Sequence, residues 1–281
     1  MRRRFGQTLR LGVAASTLAL VKTSRWGGPA QMLGEQSYAG ASGLQDALAA
    51  VLGAGYAGWP LTIVLSDELV RLWQVTPFAQ TTRLADLEAA AALRFQRLYG
   101  EPAADWAVRA GWDGDRPFLA AAMRRTLLAA LEQGAAVHQV RLVEIVPQFV
   151  ALLNLCRSAL GPGAWFGTLH DRVLTLGAMD PADAGALVAV RAQILPEAPG
   201  AGWLAEHLAR EALRLNLAAP SRLQLWGAVP PAWLGAVATT TNATNATNAS
   251  NATTTVTTRL GSAGGPGWTE AAVLAASGSA A

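Results

Sequence analysis

Two short polar segments carry residue types that enzymes use in catalysis. Ser66-Asp67-Glu68 follows the apolar run Leu61-Thr-Ile-Val-Leu65 and has the composition of a site at the end of a strand. His170-Asp171 has the residue types of a catalytic dyad. Both segments lie at predicted strand turns, where Asp is common because its side chain bonds to nearby backbone groups. A turn role is therefore the favoured interpretation of each segment.

Metal-binding and thiol chemistry find little support in the sequence. The single cysteine, Cys156, excludes an internal disulfide and any multi-cysteine metal site. It ends the apolar run Ala-Leu-Leu-Asn-Leu, so we interpret it as a small core residue on a helix face. We do not interpret His138 and His207 as metal ligands. We therefore predict no catalytic, cofactor-binding or metal-binding residues, and no cofactor.

The composition limits the class of protein. The chain has 281 residues, of which 52% are hydrophobic and 15% are charged. It is too apolar to be wholly disordered, and it is long enough for one large domain or two ordinary ones. The formal net charge is only +3, so the pI of 9.6 reflects scattered arginines rather than a dense basic patch. Generic nucleic-acid binding is not implied.

Hydrophobic periodicity predicts alternating strands and helices before Thr239. Residues 82–99 have apolar side chains at helical spacing, and Gly100 and Pro102 end this helix. Asp113-Gly114-Asp115 joins two alternating strands as a hairpin. The predicted strands are 8–14, 18–24, 31–38, 61–65, 69–75, 105–112, 117–123, 140–146, 164–169, 172–178, 186–195 and 222–226. The predicted helices are 44–52, 82–99, 124–136, 147–160 and 203–215.

The predicted elements form two similar halves. Gly161-Pro162-Gly163 is the strongest internal boundary. We predict a first half over 1–160, with an inserted α-β-β-α subdomain at about 68–136, and a second half over 161–238. Each half has three strands, then a helix, then a strand. Two such RNase H-like halves around a cleft are the arrangement of actin-like ATPases, so the predicted class is α/β with an actin-like ATPase fold.

Residues 239–281 differ from everything before them. An Asn-Ala-Thr unit recurs with no apolar period, so we predict a low-complexity, disordered tail. Four asparagines lie in N-x-[ST] sequences that would accept glycans in a secreted chain. They are Asn242, Asn245, Asn248 and Asn251. We interpret the repeat as an expanded linker, and residues 268–276 as a weak candidate for a short helix or docking peptide.

The N-terminus resembles a signal peptide in part. Three arginines precede an apolar stretch over 11–21. Lys22, Arg25 and Trp26 then stand where a small-residue cleavage site should lie. A buried strand pair with a basic leader is the favoured interpretation. The stretch is too short for a transmembrane helix, which needs about 20 apolar residues.

Residues 82–160 carry a family resemblance. In order they read LRFQRLYG, Asp105-Trp106-Ala-Val, Phe118-Leu-Ala-Ala-Ala, MRRTLLAALEQGAAV and VRLVEIVPQFVALLN. This order closely resembles the inserted subdomain of the inner-membrane assembly protein of type IV pili. It is also similar to the cytoplasmic actin-like domain of the type II secretion L component. Weaker similarity, in topology more than in identity, extends over residues 8–234.

The departures from the actin-like pattern bear on function. Actin-like ATPases have a first-strand motif Asp-x-Gly-x-x-x-x-Lys, whose aspartate organises Mg²⁺ and whose glycine lets backbone amides approach phosphate. Here LGVAASTLALV has Gly12, Ala14 and Ala19 at those positions. The second phosphate turn, AWFGTLHDRVL, has an aromatic residue where the acid belongs, and LQLWGAVPP keeps one expected glycine, Gly227. The resemblance thus implies a retained fold whose ATPase chemistry is lost.

The function implied by the resemblance is a non-catalytic scaffold of a type IV pilus or type II secretion-like assembly platform. Such a protein would be cytoplasmic and peripheral at the inner membrane. Its expected partner is an inner-membrane assembly protein with a short cytoplasmic tail, and an assembly ATPase is a second candidate. In the pilus family the tail docks between the inserted subdomain and the first half. Here that groove would be framed by strand 69–75, the helix from Thr82 and the hairpin around Asp113.

Two alternatives remain open at the level of the sequence. One is an active sugar-kinase-like or actin-like ATPase with an unrecognised nucleotide site. The other is a secreted surface protein whose N-terminus is a signal peptide.

Overall fold

The computed structural model describes most of the chain. The described residues are 6–24, 26, 28–53, 55–78, 83–183, 186–239, 252–259 and 268–279. Their strands are β1 (Gln7–Val13), β2 (Thr17–Ser24), β3 (Gln31–Ser37), β4 (Pro60–Leu65), β5 (Val70–Val75), β6 (Trp106–Ala110), β7 (Phe118–Arg124), β8 (Arg141–Pro147), β9 (Trp165–His170), β10 (Val173–Met179), β11 (Leu187–Ile194), β12 (Arg222–Gly227), β13 (Gly235–Thr239) and β14 (Ala252–Arg259). Their α-helices are α1 (Gly40–Leu52), α2 (Leu84–Tyr99), α3 (Arg125–Val137), α4 (Gln148–Cys156), α5 (Ala201–Leu215) and α6 (Glu270–Ala276).

Contacts divide the chain into two compact units. The first comprises Met1–Leu155 together with Gly261–Ala281, and the second comprises Cys156–Leu260. The first unit is built on a five-stranded sheet in the order β3-β2-β1-β4-β8. β1 is antiparallel to β2 and parallel to β4, which is in turn parallel to β8. α6 packs on β1, β2 and β4, and α1 packs on β2 and β3. β4 is a nearly continuous apolar run, whereas β1 alternates the buried residues Leu9, Leu11 and Val13 with Arg10 and Gly12.

The inserted subdomain forms its own three-stranded sheet. Its order is β5-β7-β6, with both pairs antiparallel. α2 packs on this sheet through an aromatic cluster in which the rings of Trp73 and Trp106 lie 5.2 and 5.5 Å from that of Phe95. Gly100 ends α2 in the left-handed conformation, as the sequence predicts, and its N–H bonds to the carbonyl of Gln96. The subdomain predicted as α-β-β-α therefore also contains β5, which is the third strand of its sheet.

The second unit repeats the topology of the first. Its sheet has the order β11-β10-β9-β12-β14-β13. The first four strands match β3-β2-β1-β4, because each set has three antiparallel strands, then a helix, then a strand parallel to the first. α5 buries Leu204, Leu208 and Ala212 against this sheet. Trp233 extends the core and stacks on Trp203 at 5.7 Å. The two predicted β-β-β-α-β halves are present.

The prediction of a disordered tail needs correction at β14, whereas the weak candidate helix over 268–276 is confirmed as α6. β14 lies between β12 and β13 in the second sheet, parallel to one and antiparallel to the other. α6 packs on β1, β2 and β4 of the first unit and buries Ala272 and Leu274 completely. Thr239 pairs with Ala252 at the end of the β13–β14 ladder. The four sequon asparagines themselves lie outside the described residues.

The apolar N-terminal stretch forms two central strands. Leu11 pairs with Leu20 in the β1–β2 hairpin, and both side chains are fully buried. This confirms the strand-pair interpretation of residues 11–21. Within the described ranges, no helix is long and apolar enough to cross a membrane.

Candidate functional site

The β1–β2 turn lies where the actin-like resemblance places the first phosphate loop. Parallel strands carry their carboxyl ends to one edge of a sheet, and this turn lies at that edge beside the end of β4. The N–H of Ala14 donates to the carbonyl of Thr17 at 2.9 Å, and the N–H of Ser66 donates to the carbonyl of Val13 at 2.9 Å. The turn is therefore tied to the segment that follows β4.

Glu68 supplies a carboxylate to this turn. Its Oε1 accepts from the backbone N–H of Ala15 at 2.9 Å and from Oγ of Ser66 at 2.9 Å. The hydroxyl of Tyr38 donates to the carbonyl of Ala14 next to it. Burial, and after it the negative charge of Glu68, raise the pKa of Tyr38 to about 12. The chain itself thus supplies a carboxylate acceptor and a hydroxyl donor to this turn.

Asp67 has a different structural role. Its side chain is buried, and Oδ1 accepts from the N–H of Phe149 at 3.1 Å, in the first turn of α4. A carboxylate here pairs with helix N–H groups that have no partner within the helix. The turn interpretation of Ser66-Asp67-Glu68 is confirmed in that the segment forms a short 3-10 turn. The sequence did not indicate that both carboxylates fix distant segments.

Gly12 packs against the backbone of α6. A Cβ at this position would come within 2.5 Å of the carbonyl oxygen of Ala271 and 2.6 Å of the nitrogen of Ala275. On the same face, Nε of Arg10 donates to the carbonyl of Ala275 at 2.8 Å, and the guanidinium also bonds to the carbonyl of Ser277. A helix backbone thus covers the position at which the actin-like resemblance places the ATPase aspartate.

A nucleotide with its Mg²⁺ does not fit these residues. The Ala15 N–H that would approach a phosphate already bonds to Glu68, whose negative charge would repel a phosphate. An acidic side chain at position 12 would collide with α6. We derive no phosphoryl-transfer step through this turn.

The second turn, in the second unit, connects β9 to β10. His170 is the last residue of β9, is buried and pairs with Val173, so the turn comprises Asp171 and Arg172 rather than His170 and Asp171. Asp171 has a φ of 52°, a conformation that Asp tolerates in tight turns. This geometry confirms a turn role, displaced by one residue from the prediction.

An open cavity of about 440 Å³ lies beside this second turn. Its charged lining residues are Asp171, Arg172 and Glu197. Nη2 of Arg172 donates to the carbonyl of Leu195 at 2.8 Å, so the guanidinium also holds the end of β11 in place. The cavity carries both signs of charge and three prolines, and it points to no particular ligand.

Cys156 and His207 are both buried. Cys156 is a buried, unbridged thiol, as predicted. In the part of the chain that the structure describes, no three His, Cys, Asp or Glu side chains lie close enough together to hold a metal ion. His207 is only 2% exposed and stacks on Trp203 with ring centroids 4.9 Å apart.

His207 should make the second unit sensitive to acid. Burial is the largest cause that lowers its pKa from 6.5, and the Glu211 carboxylate opposes this shift. Three cations reinforce the lowering: Arg210, Arg191 and Arg214. The unfolded chain therefore binds a proton at a higher pH than the folded chain, so stability should fall as the pH drops below 6.5.

Urea unfolding of the wild-type protein and of His207→Phe between pH 7.5 and 5 measures this effect. Phe keeps the stacking on Trp203 but does not titrate, so its stability should depend less steeply on pH. Equal pH dependence in the two proteins would show that His207 is not the group responsible.

The inserted subdomain presents the elements predicted to frame a groove. β5 is at one end of its sheet, and β7 is its partner strand among the described residues. Beside it, Glu101 bridges Arg71 and Arg124, with N–O distances of 3.4 and 2.7 Å. Both guanidinium groups lie over the ring of Trp106, at 5.2 and 4.7 Å from its centroid. Phe78, just after β5, is 67% exposed.

Comparison with known proteins identifies the fold. No protein-family profile matches the sequence, and no curated protein matches it. A solved Bacteroides thetaiotaomicron protein, described as having an actin-like ATPase fold and unknown function, superposes with a TM-score of 0.57 at 12% identity, over 80% of this chain and 84% of that one. The cytoplasmic domain of EpsL, an inner membrane component of the Vibrio cholerae type II secretion system, gives a TM-score of 0.54 at 11% identity, over 95% and 92% of the chains.

A third similar structure belongs to the PilM–PilN type IV pilus biogenesis complex. It gives a TM-score of 0.54 at 17% identity and covers 79% of this chain and 81% of that one. With the two halves and the insertion described above, these similarities confirm the predicted class: the chain has the actin-like ATPase fold.

Proposed function

We propose that this protein is a non-catalytic actin-like scaffold in a type IV pilus or type II secretion-like assembly platform. In this proposal it docks the short cytoplasmic tail of an inner-membrane protein, and so it is cytoplasmic and peripheral at that membrane. The fold shared with EpsL and with the PilM–PilN complex supports an assembly role. The carboxylates of Asp67 and Glu68, both bonded to backbone N–H groups, support a role without catalysis.

The position of β5 is the observation that carries the docking proposal. An edge strand can take an extended peptide as an additional strand, with backbone hydrogen bonds for affinity and side-chain pockets for specificity. β5 ends one side of the inserted sheet, and its neighbour Phe78 offers an exposed aromatic side chain. Aromatic side chains dominate the binding energy of many interfaces. A docked segment would then lie along Val70–Val75 with Phe78 at one end.

Binding of synthetic tails tests the proposal. The peptides are the cytoplasmic tails of membrane proteins encoded beside this gene, and hydrogen exchange of the full chain is compared with and without each peptide. Protection confined to residues 69–123 is expected for the true partner. A well-folded protein that binds none of the tails, or protection confined to the second unit, would contradict the proposal.

Phe78→Ala provides a matched variant. Removing this ring should weaken tail binding about tenfold or more, the usual scale for an interface aromatic. Leu213→Ala is the control, because Leu213 is also an exposed apolar side chain, at 81%, and lies on α5 of the second unit. Its tail affinity should equal that of the wild type.

A further inference from the structure

The contact between Glu68 and the β1–β2 turn joins two segments that are distant in the sequence. The carboxylate reaches a backbone N–H that lies 53 positions earlier in the sequence. Hydrogen bonds between a carboxylate and backbone N–H groups are charge-assisted and stronger than those between neutral groups. Ser66, which is 1% exposed, donates its hydroxyl to the same oxygen. The anion is thus held by two donors on two segments.

This contact lies at the entrance to the inserted subdomain. Ser66, Asp67 and Glu68 connect β4 to β5, and each is bonded to another part of the first unit. Ser66 bonds to the end of β1, Asp67 to the first turn of α4, and Glu68 to the β1–β2 turn. The start of β5 is therefore anchored at three points, and at two of them a carboxylate accepts from a backbone N–H group.

We propose that the β1–β2 turn is an anion-binding turn which the chain fills with its own Glu68 carboxylate, and that this built-in anion fixes the start of β5 in place of a bound phosphate. Glu68 is a positioning residue in this proposal. Glu68 joins the turn to β5, the strand to which the proposed function assigns partner docking. This part of the inference rests on the proposed function. The occupancy of the turn by Glu68 does not depend on any partner.

Anion rescue of Glu68→Ala tests the inference in the full chain without a partner. The change leaves the Ala15 N–H and the Ser66 hydroxyl without their acceptor and opens space for a small anion. Amide exchange at Val70–Val75 should become roughly tenfold faster, the scale of one lost charge-assisted hydrogen bond. Acetate, or inorganic phosphate, should restore slow exchange in this variant and leave the wild type unchanged.

Three comparisons make the outcome decisive. Sodium chloride at equal ionic strength controls for screening, and Glu88→Ala, an exposed carboxylate on α2, controls for loss of charge. Glu68→Gln keeps an acceptor oxygen without the charge, so it should exchange at an intermediate rate and respond little to acetate. Comparing the rescue by acetate with the rescue by phosphate then shows whether the turn accepts both anions or only a carboxylate.

Two results would overturn the inference. One is unchanged exchange at β5 in Glu68→Ala, which would mean that the contact fixes nothing. The other is rescue by acetate and phosphate that is no greater than the effect of sodium chloride at equal ionic strength, which would mean that the turn holds neither a carboxylate nor a phosphate. Neither result bears on tail binding, and failure of tail binding leaves this test intact.

Discussion

Replacing Gly12 with Ala should release α6 from the first unit. The free energy of unfolding of this unit should fall by about 3 kcal/mol, at the upper end of the range for overpacking. The new Cβ would lie 2.5 and 2.6 Å from backbone atoms of Ala271 and Ala275, which cannot rotate away as a side chain can. Relief requires that the helix move as a whole. The bonds from Arg10 to the end of α6 would then be strained or lost as well.

Hydrogen exchange and thermal unfolding measure this effect. Exchange of α6 amides should accelerate in Gly12→Ala, and the melting temperature should fall by several degrees, since about 2–4 °C accompanies each kcal/mol in a chain of this size. Gly34→Ala in β3 is the control, because its Cβ would meet Val51 at an ordinary 3.7 Å. Protection of α6 that is unchanged in Gly12→Ala would show that the helix does not pack on β1 in solution.

Gly12→Asp separates two interpretations of the same position. If the chain had merely lost a catalytic aspartate, restoring it should create affinity for Mg²⁺ and nucleotide. The structure predicts instead a larger destabilisation than Gly12→Ala causes, because a carboxylate would be forced against the helix backbone. A thermal-shift titration of this variant with Mg-ATP decides between them, since binding to the folded state must raise its stability.

Most of the fold could be predicted because its strands are apolar and its turns contain turn-forming residues. β4 and the β9–β10 hairpin are predicted within a residue or two, since β-branched and apolar runs bounded by turn residues specify strands locally. The boundary at Gly161-Pro162-Gly163 lies close to the division between the two units at Cys156. In these elements local sequence preference and tertiary packing agree.

The elements that the sequence indicated weakly, as it did α6, or not at all, as for β14, depend on partners distant in the sequence. β14 is rich in Thr and short of large apolar residues, and it forms a strand because β12 and β13 bond to it on both sides. α6 has seven residues, too few for a stable isolated helix, and it forms because the first sheet buries it. The Glu68–Ala15 contact spans 53 positions, and no periodicity in the sequence encodes it.

Among substitutions that add one methyl group to the second unit, Gly227→Ala should be the most destabilising. It should lower the free energy of unfolding by about 4 kcal/mol, because it combines a forbidden backbone conformation with a collision. Gly227 ends β12 with a φ of 114°, which L-residues rarely adopt. Its Cβ would lie 1.8 Å from the carbonyl oxygen of Leu169, the residue with which it pairs across the sheet. Because that oxygen belongs to β9, relief would require separating two central strands.

Gly235→Ala distinguishes the two causes. Gly235 also has a positive φ, 95°, but no atom of the described residues lies within 4 Å of its Cβ position. It should therefore show the conformational cost alone, about 1–2 kcal/mol. Urea unfolding of both variants, followed by tryptophan fluorescence because Trp226 lies beside Gly227 in β12, gives the difference. A gap of about 2 kcal/mol or more is the expected size of the collision, within the range for overpacked cores. Equal losses in the two variants would mean that β9 and β12 are not paired as closely as the structure places them.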